Sequence, residues 1–238
     1  KNKDIDVFLG NWMPSMEADR KPFTDDKSID VLNANLEGAK YTLAVPQYLY
    51  DKGLHDFGDI QKFGKELDYK IYGIEPGNDG NRHVLDLIKQ NRDGLGKFQL
   101  VESSEQGMLA QVEKDYRRKK PIVFLGWEPH PMNKVFKMAY LTGGDDTFGP
   151  NFGGATVYTN VRAGYVAECP NVGKLLDNLK FSLAGENEMM DMILNKKMDP
   201  SKAAATWLRA HKDVLTTWLA GVTTFEGKPG LAAVQAKL

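Results

Sequence analysis

The sequence predicts an α/β fold, with helices layered on mixed, mostly parallel sheets. Three observations carry that prediction. Short apolar strands alternate with amphipathic helical stripes through most of the chain, several of the strands halt at a glycine or proline, and the stretch from Asn171 onward is mostly helical. A strand-rich middle followed by a helical tail further suggests two lobes, with the chain passing back into the first.

The elements follow in order. Asp4–Leu9 alternates polar and apolar residues and stops at Gly10, so a strand feeds a loop that carries Trp12. Tyr41–Val45 is the next strand, opened by Tyr41 and halted by Pro46. Ile60, Phe63 and Leu67 recur at helical spacing. Ile71–Ile74 is a strand that runs into the turn Pro76-Gly77-Asn78-Asp79-Gly80, after which Val84, Leu85 and Ile88 mark one face of a helix. The unit then repeats: Phe98–Val101 is a strand, Ser103 and Gln106 have capping-box spacing, and Met108, Leu109 and Val112 supply the buried face of the helix they start. Pro121–Leu125 is a further strand, ending at Gly126 and Trp127, and the Gly/Asp-rich run Gly143–Pro150 reads as a flexible surface loop. Asp199-Pro200 is a helix start, and Trp207, Leu208, Leu215, Trp218 and Leu219 lie on helical stripes, where both tryptophans read as core.

Composition excludes several function classes. The 238 residues are 42% hydrophobic and 26% charged, enough for one large domain or two lobes of roughly 100 residues each. Net charge is -1, and the one basic cluster, Arg117–Lys120, ends a helix, so nucleic acid is not an expected partner. No apolar run is long enough to span a bilayer. The chain opens on Lys1-Asn2-Lys3-Asp4 without a signal peptide or an initiator Met, which reads as a mature or trimmed form and leaves export open. Cys169, the single cysteine, fits a buried inert thiol in any compartment, and equally an exported protein that has lost its partner cysteine.

Catalytic signatures are missing. There is no G-x-S-x-G elbow, P-loop or G-x-G-x-x-G fingerprint. His55, His83, His130 and His211 show no metal-ligand spacing, and His130, between Pro129 and Pro131, reads as part of a structural turn. Glu102 and Glu105 read as charges at a helix start, and Asp145 and Asp146 lack the rest of a calcium loop. An enzyme, a cofactor and a metal are therefore not expected. What remains is aromatic residues at strand ends, where α/β folds bind ligands: Trp12, Tyr41 and Trp127. Aromatic faces attract a diffuse positive charge such as a trimethylammonium group, although any one of these rings could simply pack in a core. Asn78, in the turn before a helix, could bond a ligand hydroxyl, or the helix N-terminus there could hold a carboxylate.

At these residues the sequence resembles the periplasmic choline/glycine betaine-binding proteins of bacterial ABC importers, and within them the rhizobial choline-binding members. The resemblance rests on Lys3–Pro14 (KDIDVFLGNWMP), Lys40–Ala44 (KYTLA), Tyr72–Asn81 (YGIEPGNDGN), Val101–Met108 (VESSEQGM) and Phe124–Met132 (FLGWEPHPM), and it runs along essentially the whole chain. It implies a two-lobe periplasmic-binding-protein fold of type II, with lobe one formed by residues 1–43 and 155–238 and lobe two by residues 44–154. It also implies crossovers near Tyr41–Gln47 and Gly149–Tyr158, and closure by hinge motion. It implies that Trp12, Tyr41 and Trp127 wall an aromatic cation-π box for choline between the lobes, that Asn78 bonds the choline hydroxyl, and that the partner is an inner-membrane permease. Glycine betaine or proline betaine is the alternative solute, with acetylcholine a further candidate ligand, and a non-binding fragment of such a receptor is the other alternative. Family members carry about 50 further N-terminal residues that bring another box tryptophan, an aspartate for the hydroxyl and the cysteine that pairs with the counterpart of Cys169. None of these is located here, so the chain is expected to be a periplasmic monomer lacking its N-terminal piece, with a domain swap as the alternative.

Overall fold

The computed structural model describes residues 4–238. Lys1–Lys3, including the first residue of the Lys3–Pro14 motif, lie outside the described residues. In chain order the principal elements are β1 (Val7–Met13), α1 (Glu17–Asp25), β2 (Ile29–Pro46), β3 (Lys70–Tyr72), α2 (Asp79–Lys89), β4 (Gln99–Val101) and α3 (Glu105–Arg117). They continue with β5 (Phe124–Glu128), β6 (Met138–Tyr140), β7 (Gly154–Arg162), α4 (Pro170–Asn178), α5 (Leu183–Met190), α6 (Pro200–Ala210) and α7 (Lys212–Trp218). The chain forms two compact units, one of the residues up to Gly38 with Thr156–Leu238, the other of Ala39–Ala155. It leaves the first unit inside β2 and returns inside β7. Among the described residues no helix is long and apolar enough to cross a membrane.

In the first unit β1 pairs antiparallel with β7, which lies beside β2. The sequence reading ends the first strand at Leu9 and puts Trp12 in a loop, but β1 runs on to Met13. A register shift between Phe8 and Asn11 absorbs Gly10, after which pairing resumes with Trp12 opposite Val157. Leu36, Val157, Val161, Leu176, Ala203, Trp207 and Leu215 form the buried core. Asp199 caps α6 as its sequence predicts, its side chain accepting from the Lys202 amide. Trp207 is buried and stacks on Trp218, whose ring centroid is 6.1 Å away; Trp218 itself is only half-buried, at the rim of the core. A cleft of about 800 Å3 is lined by Val7, Phe8, Phe23, Ile29 and Val161 along the outer strand β1.

The second unit orders its strands β6-β2-β5-β3-β4. Parallel pairing is confined to β3 with β4 and with β5, whereas β2 runs antiparallel to β5 and β6. The sheets are thus mixed without being mostly parallel. Parallel neighbours need a crossover helix, which α2 and α3 supply to β3, β4 and β5, while the long β2 is laid against β5 in the opposite sense. Two further local expectations shift. The cap of α3 is Ser104, accepting from the Gly107 amide, one residue after the predicted Ser103. The Gly143–Pro150 run, expected to be a flexible loop, contains the helical turn Asp145–Phe148, because Phe148 is driven inside to 1% exposure. Leu43, Val45, Leu49, Phe57, Ile60, Ile71, Val84, Met108 and Leu125 complete a dry core around it.

Candidate functional site

The site begins with the register of β2 against β5. Tyr41 and Trp127 are direct Cα partners across that antiparallel pair, so their side chains leave the same face of the sheet side by side. Their ring centroids are 6.1 Å apart with the planes 86° from parallel. Both residues therefore lie within strands, not at the strand ends where the sequence places them. β5 continues past Gly126 because β2 offers it a partner as far as Lys40.

Each ring is held from behind. Tyr41 is 6% exposed and packs against Phe148 at 6.0 Å, which in turn meets Phe57 and His83. Its hydroxyl donates to Asn78 Oδ1 at 2.6 Å. Burial first, and the Asp79 carboxylate next, push the Tyr41 phenol well above its ordinary range, so it stays protonated and donates. Gly153 lies directly behind Tyr41: a Cβ there would come 1.9 Å from the Tyr41 carbonyl oxygen, and its φ of +65° also favours glycine. Trp127 is half-buried, and its carbonyl accepts from Asn133 Nδ2 at 2.8 Å, with Asn133 Oδ1 fixed by the Tyr140 hydroxyl at 2.7 Å. The His130 ring packs 4.9 Å from the Trp127 ring. His130 Nδ1 accepts from the Met132 amide at 3.0 Å, which leaves the proton on Nε2 to be donated to Glu105 Oε1 at 3.2 Å.

Asn78 is the N-cap of α2. Its Oδ1 accepts both from the Gly80 amide at 2.8 Å and from Tyr41, which leaves its amide N–H groups as the part offered to a ligand. The turn ahead of it is fastened by Asn81, whose side chain bonds the Ile74 amide and the carbonyls of Ile74 and Glu75, and reaches Glu102. Of the four residues read from the sequence, Tyr41, Asn78 and Trp127 fall in the second unit, and the hydroxyl of Tyr41 ties it to Asn78. Trp12 belongs to the first unit, half-buried on β1.

Sequence reasoning missed the supporting residues. His130 reads as a turn residue, and Phe148 is hidden in a run that looks like loop. Asp79, Gly80 and Asn133 carry no signal of their own, because their roles depend on partners far along the chain.

Residues 1–210 match the family described as the substrate-binding domain of the ABC-type glycine betaine transport system. The chain belongs to this family. A solved ABC-transporter choline-binding protein in complex with choline is 61% identical over all of this chain and 82% of its own length, with a TM-score of 0.97. A lactococcal family member solved in a closed conformation with glycine betaine is 27% identical over 91% of this chain and 81% of its own, with a TM-score of 0.80. The glycine betaine/carnitine transport binding protein of Listeria monocytogenes is 29% identical over 69% of this chain. The chain spans about half the length of the curated relatives it matches, 52% and 53%. The two-lobe α/β fold of the substrate-binding domains is the fold of this chain.

Proposed function

We propose that this protein captures choline, on a cation-π surface built from Tyr41 and Trp127, as the substrate-binding component of an ABC importer. The observation that carries the reading is the cross-strand pair itself. Two rings of adjoining strands, at nearly right angles, offer aromatic surface in two directions to an ammonium group that has no hydrogen bonds to give. The choline complex of the 61% identical neighbour favours choline over glycine betaine, the solute named for more distant relatives. Asn78 alone does not separate the two solutes, because the amide N–H groups it offers suit a hydroxyl oxygen and a carboxylate equally. A third aromatic contact is assigned to Trp12. The protein is proposed to act in the periplasm as a monomer, to deliver its solute to a membrane permease, and to do no chemistry on it.

Tryptophan fluorescence titrated with choline and with glycine betaine tests the reading. Saturable quenching by micromolar choline is expected, and Trp127→Ala should weaken binding by about 2- to 30-fold, in line with roughly 0.5–2 kcal/mol for one cation-π wall. Trp12→Ala, measured separately, tests the third contact. Tighter binding of betaine would favour the alternative solute, and a folded protein that responds to neither would overturn the reading.

A further inference from the structure

We propose that Asp79 is a specificity-determining residue: its carboxylate supplies the negative charge that the ammonium of the bound solute meets beside Tyr41, and it disfavours solutes carrying a carboxylate of their own. This rests on the proposed binding of a quaternary ammonium at Tyr41 and Trp127.

Asp79 stands beside the residues that meet the Tyr41 hydroxyl. It is the first residue of α2, flanked by the two residues on which the Tyr41 hydroxyl rests. Asn78 accepts the hydroxyl at 2.6 Å, and a Cβ built on Gly80 would fall 2.1 Å from the same oxygen. Asp79 is only 8% exposed, and its Oδ2 has no hydrogen-bond partner among the described residues. No Lys, Arg or His pairs with it there, although the chain carries 31 basic residues that could have been placed to do so. A buried carboxylate left without a cation is costly, and the N-terminus of α2 offsets only part of that cost. The arrangement is accounted for if the missing cation is the ligand. The charge of Asp79 also contributes to holding the proton on the Tyr41 phenol, as expected of groups within Coulombic reach of each other.

Quaternary nitrogen has no N–H, so the interaction is through space and need not complete the hydrogen bonding of Oδ2. At an effective dielectric of about 20 a unit charge within about 10 Å changes affinity by about tenfold or more. Choline, with a lone positive charge, gains fully. Glycine betaine gains at its ammonium and loses at its carboxylate.

The test titrates the wild-type protein and Asp79→Asn with choline, glycine betaine and dimethylbutanol, the uncharged carbon isostere of choline. Expected is a loss of choline affinity of about tenfold or more in the variant, with betaine and the neutral alcohol changed little, so that the choline-to-betaine ratio collapses. A wild-type protein blind to choline overturns the quaternary-ammonium reading itself. Wild-type choline binding together with an unchanged ratio in the variant, or with equal losses for all three solutes, overturns the role of Asp79 alone. Should Asp79→Asn fail to fold, Asp79→Ser, also uncharged and suited to a helix start, reports the same ratio.

Discussion

At the scale of single residues, the candidate site depends on where side chains are absent as much as on where they are present. Gly80 is helical and needs no special backbone; alanine there would ordinarily strengthen α2 by up to about 1 kcal/mol. Yet its Cβ would come 2.1 Å from the Tyr41 oxygen and 2.5 Å from Cζ, and the ring cannot swing aside while Phe148 and Trp127 pack on it. Gly80→Ala should therefore displace Tyr41 and weaken the proposed choline binding by about tenfold or more, an overpacking cost of about 1–3 kcal/mol that falls on the site. Titration beside a thermal melt checks this, and wild-type affinity in the variant would show that Tyr41 need not sit where the structure places it. The sequence singles out Tyr41 and Trp127 as rings beside apparent strand breaks, but their direct pairing within β2 and β5 comes from the register of the sheet. The need for glycine at position 80 is not legible in the sequence, since it arises from a tyrosine 39 positions earlier, a pairing that only the fold makes.

At the scale of elements, the segment from β3 into α2 is the piece whose rigidity the site borrows. The sequence shows a strand, a Pro-Gly turn and a helix start there, and the structure keeps all three. Which asparagine does what is settled by distant partners: Asn78 caps α2 and takes the Tyr41 hydroxyl, whereas Asn81, 1% exposed, staples the turn to Ile74, Glu75 and Glu102. Removing a staple that leaves several buried backbone groups unpaired costs more than removing a cap. Asn81→Ala should lower unfolding stability by about 2–3 kcal/mol, against about 1 kcal/mol for Ser104→Ala at the start of α3. Chemical denaturation of both variants measures the difference, and equal losses would mean that solvent replaces Asn81 without penalty. The same dependence on partners explains the strand that sequence reading cut short. Val123 to Leu125 is apolar enough to be seen alone, but Gly126–Glu128 is strand only because Lys40–Thr42 pairs with it.

At the scale of the whole molecule, local pattern shows alternating strands and helices but not that Ala39 and Ala155 bound the second unit, because that division is set by contacts between segments far apart in the chain. The second unit also carries a set of buried and half-buried phenols that no sequence pattern announces. Tyr41, Tyr48, Tyr72 and Tyr140 all lie in it, and burial is the leading cause that raises each phenol above its ordinary value, Tyr48 to about 12. A raised folded-state value means that the folded chain holds the phenolic proton more tightly than the unfolded chain does. Each tyrosine therefore contributes stability that is fully present below the unfolded value of about 10 and is lost as pH climbs through the folded value. The melting temperature should hold steady up to about pH 9 and then fall, continuing to fall toward about pH 12 as Tyr48 ionises. Tyr48→Phe removes one of these protons from the balance and should make the alkaline fall shallower. Melts across this range, read beside tyrosinate absorbance, decide the matter. Ionisation that precedes unfolding would place these phenols in contact with water, and would remove the dry packing behind Tyr41 on which the proposed cation-binding surface rests.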